Sequence, residues 1–186
     1  MGNHVCPWWY AYTFDNPLRR LIHKPEKIFH RYVRPGMIVA DIGCGMGYFS
    51  IAFAKMVGDG GLVISVDLQQ KMLEILEKRA RKNGVAHRIQ THRCDANDLG
   101  IQERVDFVLA FWMVHETPDE VAFFKQVFHL LKGTGSFVVA EPKMHVTESR
   151  FSNSVSHALA SGFRIIERPR IHFSHSIAFG KAVLDR

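Results

Sequence analysis

The 186 residues carry 24 Lys and Arg against 18 Asp and Glu, a formal charge of +6 with a pI near 9.4, and 47% of them are hydrophobic. That length fits one domain, residues 1–186, with a continuous core. No apolar run approaches the roughly 20 residues of a membrane-spanning helix and the start lacks a basic-then-apolar leader pattern, so cytoplasmic residence without a membrane partner is the expectation.

The first 35 residues stand apart as an aromatic and basic extension. Trp8, Trp9, Tyr10, Tyr12 and Phe14 crowd "CPWWYAYTFDNPLRR". They read either as a segment docked on the fold or as a lid over a bound molecule, in which Trp9 and Tyr12 would stack on a flat or cationic ligand. Cys6, Cys44 and Cys94 are an odd number without close spacing. Neither a disulfide framework nor a zinc module is expected, and the scattered histidines give no metal motif, so the metal expectation is none.

From residue 36 the apolar periodicity switches repeatedly between that of strands and that of helices. "MIVADI" predicts a strand, "MGYFSIAFAKMVG" a helix and "GLVISVDL" a second strand. "QQKMLEILEKRARKNG" predicts a helix with Met72, Leu73, Leu76 and Ala80 on one stripe, stopped at Asn83-Gly84. On its outer side, Glu74 with Lys78 and Glu77 with Arg81 have the spacing of helix ion pairs. "RIQTHR" is a weaker third strand. "VDFVLAFW" is a fourth, almost continuously apolar as a strand covered on both faces should be.

Pro118 and the acidic Asp119 and Glu120 open a helix over 118–131. "GSFVVAE" is a fifth strand, residues 147–161 a helix, and "FRIIERP" with "IHFSHSIAFGKAVL" two last strands joined by a tight turn. Such alternation gives an α/β domain whose open, mainly parallel sheet has helices on both faces, with an antiparallel strand at or near one edge.

Ligands of open α/β sheets bind beyond the carboxyl ends of the strands. The stretch "VADIGCGMGY" sits at such an end, and Gly43, Gly45 and Gly47 let main chain approach a ligand where a helix begins. A tight turn alone is the plain alternative. Asp67 at the tip of the second strand has the place of a carboxylate that accepts ribose hydroxyls, and Asp95, after the third, can meet an adenine amino group. The dinucleotide fingerprint fails, because Tyr48 stands where a third glycine is required. Asp41, two residues before Gly43, would repel a pyrophosphate but attract an ammonium, so the turn suits a nucleoside with a zwitterionic tail.

These residues carry a family resemblance. "VADIGCGMGYFS", Asp67, "CDAND", "VDFVLAFWMVHE" and "LLKGTGSFVVAEP" resemble, in order and spacing, the motifs of class I S-adenosylmethionine-dependent methyltransferases, nearest to the ubiquinone/menaquinone-biosynthesis type. The resemblance covers roughly residues 30–186. It implies a Rossmann-like seven-stranded sheet with its last strand antiparallel and a core over 36–186. It also implies S-adenosyl-L-methionine as cofactor, leaving S-adenosyl-L-homocysteine, at Asp41, Gly43, Cys44, Gly45, Asp67, Leu68, Asp95, Ala96 and Phe111, with Gln69 beside the adenine. The family's Lys-Pro-Gly-Gly turn is here Lys132-Gly133-Thr134-Gly135.

The acceptor belongs near the ends of the fourth and fifth strands. His115 and Glu116 are candidate acid/base groups there, since imidazole titrates near neutrality; capping and packing around the helix at Pro118 is the other reading. Trp112, Glu141 and His145, with Trp9 and Tyr12, are the candidate acceptor contacts. The expectation is a methyltransferase for a small molecule. An RNA methyltransferase, favoured by the charge, and a donor-binding partner protein without catalysis stand beside it; the acceptor atom and the oligomeric state stay open.

Overall fold

The structure, a computed structural model, describes residues 22–182. Trp9, Tyr12 and the other aromatic residues read as a docked segment or a lid lie outside the described residues.

Seven strands form one sheet in the order β3-β2-β1-β4-β5-β7-β6. They are β1 (Ile38–Ile42), β2 (Leu62–Asp67), β3 (Ile89–Arg93), β4 (Val105–Phe111), β5 (Leu131–Pro142), β6 (Phe163–Glu167) and β7 (Ser174–Lys181). β1 to β5 run parallel to one another, and β7 lies antiparallel between β5 and β6. The antiparallel strand therefore sits one place inside the edge. The expected tight turn before it is a loop over residues 168–173, because the start of β7 overshoots β6 and pairs only with β5, as at Ser174 with Pro142.

Helices α2 (Tyr48–Val57), α3 (Gln70–Lys82), α4 (Glu120–Leu130) and α5 (Glu148–Ala160) cover the sheet. Strand alternation divides the core between its two faces. Ala40 and Ile42 join Phe123, Phe124, Phe137 and Phe151 under α4 and α5. Val39, Phe107 and Leu109 join Phe49, Phe53, Leu73 and Leu76 under α2 and α3. Asp119 caps α4 by accepting from the Ala122 N–H, and Thr147 caps α5 by accepting from Arg150 N–H.

The described part of the extension is core, not a separate cover. The short helix α1 (Pro25–Phe29) brings Phe29, fully buried, against Phe49, Phe53 and Phe107. Tyr32 stacks on Phe107 and donates its hydroxyl to Glu167 at 2.5 Å. The core thus begins before residue 36.

Lys132-Gly133-Thr134-Gly135 is not a turn ahead of β5 but an irregularity within it: Leu131 pairs with Val105 and Ser136 with Phe107. Lys132 pairs there with Asp106 at 2.8 Å. The expected ion pairs of α3 are replaced: Glu74 meets Lys71 at 3.1 Å, and Glu77 accepts from the Thr91 hydroxyl at 2.7 Å, tying down β3. Among the described residues no helix is long and apolar enough to cross a membrane.

Candidate functional site

The glycine turn hangs from the end of the neighbouring strand. The N–H groups of Gly43 and Cys44 both donate to Val66 O, at 2.8 and 3.0 Å, and the Gly47 N–H donates to Cys44 O. Positive φ at all three glycines makes this path expensive for any other residue. Their reasons for lacking a side chain differ. A Cβ on Gly43 would stand 2.8 Å from Met113 Cβ, and one on Gly47 would stand 2.5 Å from Leu76 Cγ, whereas one on Gly45 would meet no atom within 4 Å. Gly43 and Gly47 are packed against protein, and Gly45 opens on a cavity.

That cavity, about 350 Å³, lies over the carboxyl ends of β1, β2 and β4. Gly43, Cys44, Gly45, Asp67, Leu68, Gln69, Asp95, Ala96 and Phe111 all line it, and Trp112 and Glu116 join them. Its remaining wall is largely apolar, with Met72, Leu99, Met113 and Phe123. The sequence marked Met72 only as an inward-facing helix residue, and for Met113 and Phe123 it held no sign of a cavity.

Asp67 organises the floor. One carboxylate oxygen accepts from the Gly45 N–H and the other from the Gln69 N–H, both at 2.9 Å. Burial raises its pKa, while these backbone donors favour the charge. The Leu68 backbone also favours the charge, and a carboxylate has about four lone-pair sites, so acceptor capacity remains for a ligand. Asp95 heads a tight loop in which Asp95 and Asp98 exchange backbone bonds, and it stands at the exposed rim. Burial, then the charges of Asp67 and Asp41, pushes the Cys44 thiol well up; burial and Asp67 bring Cys94 to about 11. Neither is a ready thiolate nucleophile at neutral pH.

Four expected contacts lie off the cavity. Asp41 is buried beneath the turn, where it accepts the Ser50 hydroxyl at 2.5 Å and so braces α2 against β1. Glu141, 1% exposed, accepts from the backbone N–H groups of Met113, Val114 and His115, each at 3.1 Å, and shares a 2.5 Å contact with His115 Nδ1. His115 is thereby turned toward β5 and away from the cavity; its carbonyl accepts from Arg150 at 2.8 Å. Burial opposes the imidazolium, but the hydrogen bond and charge of Glu141 outweigh it and raise the His115 pKa. His145 is exposed on the loop after β5. Of the two acid/base candidates, Glu116 faces the cavity, its Oε1 3.9 Å from His115 Nε2.

Trp112 takes the left-handed conformation, φ 59°. Its N–H donates to Ala140 O, its indole N–H donates to Ser174 Oγ at 2.9 Å, and its ring meets His23 edge-on. A bulky residue at positive φ is strained, and here the two hydrogen bonds hold it as an aromatic wall between cavity and β7.

The family model described as "Methyltransferase domain" matches residues 34–169. The demethylmenaquinone methyltransferase of Lactobacillus johnsonii is 33% identical over 118 residues, 62% of this chain and 48% of that protein. The ribosomal protein L11 methyltransferase of Dictyoglomus turgidum is 30% identical over 143 residues, 76% and 43%. The chain spans about half the length of these curated relatives or less. In fold, it is similar to a SAM-dependent methyltransferase from Aquifex aeolicus with a TM-score of 0.83 at 19% identity, covering 94% of this chain and 97% of that one. A glycine turn, a carboxylate at the next strand tip and a cavity between them, in a sheet of this order, are thus matched by a sequence family over most of the chain: the chain belongs to the methyltransferase domain family.

Proposed function

We propose that the chain binds S-adenosyl-L-methionine in the cavity and transfers its methyl group to a small, flat, largely apolar molecule. The observation that carries this reading is the pairing of Gly45, whose missing side chain leaves main chain bare to the cavity, with Asp67, which keeps acceptor capacity beside it. Asp67 would hold the ribose hydroxyls. Leu68, Gln69, Asp95 and Ala96 would flank the adenine, and Gly43, Cys44 and Gly45 the methionine portion. A sulfonium supplies an activated methyl group, so alignment and exclusion of water are the protein's main tasks. Phe111, Trp112, Met113 and Phe123 give the low-dielectric wall that does so.

On this reading Glu116 is the one of the acid/base pair that meets an acceptor proton, and His115, bound to Glu141, sets the position of the turn that carries it. The demethylmenaquinone methyltransferase named above supports a ring acceptor. The RNA reading draws on net charge, and the donor-binding reading without catalysis on the same cavity; both stay as outcomes of the test.

The test is calorimetric titration with S-adenosyl-L-homocysteine, followed by labelled-methyl transfer into a demethylated naphthoquinone and into fractionated extract, with products identified by mass spectrometry. Asp67→Ala should weaken binding about 10- to 100-fold, the worth of hydrogen bonds to a charged group. Unchanged affinity removes the donor assignment. Tight binding with no labelled product selects the non-catalytic reading, and label in RNA selects the other.

A further inference from the structure

The two most exposed large apolar side chains among the described residues are Met144, 88% exposed, and Phe173, 62% exposed. They lie far apart in sequence, on two segments that a backbone hydrogen bond joins. Met144 is in the turn after β5, Phe173 ends the loop before β7, and the Lys143 N–H donates to Phe173 O at 2.9 Å. Phe173 also has φ 58°, a conformation costly for a bulky residue, and yet its ring is left in solvent rather than folded into the core.

Around this pair the surface is basic. Lys143 adjoins Met144, and a groove that reaches His172, next to Phe173, is lined by Lys24, Lys27, Arg31, Arg168 and Arg170. All six cations are exposed, and none makes an ion pair among the described residues. Of the acidic groups nearby, Glu167 accepts the Tyr32 hydroxyl, Glu148 pairs with His175 at 2.9 Å, and Glu26 is exposed on α1 between Lys24 and Lys27, so the cations outnumber the carboxylates. Two apolar tips near cations that make no ion pair among the described residues are the pattern of side chains that enter acyl chains while their neighbours meet anionic headgroups.

We infer that this face docks on an anionic phospholipid surface, with Met144 and Phe173 inserted and the six cations at headgroup level. The contact is peripheral, and the shortness of the helices has no bearing on it. A nucleic acid would use the cations but offers Met144, an unbranched apolar chain, nothing to stack on. A second copy would bring like charge against like charge. The inference concerns the surface and is independent of which acceptor the cavity takes. The face borders the cavity through Trp112, bonded to Ser174 next to Phe173.

The test is cosedimentation of the full chain with vesicles of neutral phosphatidylcholine alone, or with phosphatidylglycerol added, at low and high salt. Binding to the phosphatidylglycerol vesicles alone, reduced by salt, is expected. The double variant Met144→Gln with Phe173→Asn should lose about 10-fold or more in partitioning, the scale of two buried apolar side chains. Asn is suited to positive φ and neither residue lines the cavity, so the variant should melt like the parent and bind S-adenosyl-L-homocysteine as the parent does. Arg168→Glu with Arg170→Glu should abolish the salt-sensitive part. Equal partitioning onto neutral vesicles overturns the inference, as does a double variant that binds like the parent. Retention on RNA that the double variant leaves untouched, in a chain that ignores vesicles, also overturns it.

Discussion

At the scale of single residues, the site rests on groups whose surroundings decide their chemistry. His115 is held to Glu141 at 2.5 Å, and its folded pKa lies above the ordinary value of about 6.5. A raised imidazole stabilises the fold fully below its unfolded pKa, and that contribution is lost as pH rises through the folded one. Urea unfolding from about pH 6 to about pH 9 should therefore show stability falling, and His115→Gln should flatten that part of the curve. A parent and variant with parallel pH profiles would mean the pair stores no such energy. The reach of side chains was the part of the site hardest to read in advance. Asp41 lies on a strand buried on both faces, so alternation gave no direction for its carboxylate, which accepts the Ser50 hydroxyl beneath the turn. Glu141 and His115, 26 residues apart, are joined only by the pairing of β4 with β5, which no local pattern encodes.

At the scale of elements, the turn from β1 into α2 separates two uses of glycine. Gly47→Ala must displace Leu76, which is wholly buried, and sit at φ 84°. Overpacking and left-handed strain together cost on the order of 2–5 kcal/mol, measurable as a lower urea midpoint. Gly45→Ala meets no neighbour, so it should lose only about 1–2 kcal/mol of stability for its φ, while losing donor affinity out of proportion, because its methyl group projects into the cavity. If the two variants behave alike, the division of roles is wrong. The strands and helices themselves were legible because β1, β2 and β4 are mostly apolar, with Asp41, Ser65, Asp67 and Asp106 the exceptions, and the helices carry stripes. Gly133 and Gly135 misled, since glycines inside a strand mark an irregularity as readily as they mark a turn, and Leu131 passes from α4 straight into β5.

At the scale of the whole molecule, the boundary drawn at residue 36 cut through the core. Phe29 is fully buried among Phe49, Phe53 and Phe107, and Phe29→Ala should cost about 3–5 kcal/mol, a large part of a typical domain's stability. Denaturant titration checks it; a loss under about 1 kcal/mol, as for a surface position, would show that α1 is an accessory. The cavity was foreseeable because residues that line it fall at consecutive strand ends. Its apolar wall was not, since Met113 and Phe123 arrive from a turn and a helix that only the folded sheet brings together.

The strand order has a last consequence, for synthesis. β5 and β6 leave the ribosome before β7, the strand that must slip between them. Until residue 181 has emerged, the nascent chain carries two unfilled hydrogen-bonding edges, with Phe137 and Phe163 lacking the Phe179 ring that both touch in the finished core. Such edges invite pairing with other chains, so the interval between β6 and β7 is when this fold most needs a chaperone's shelter.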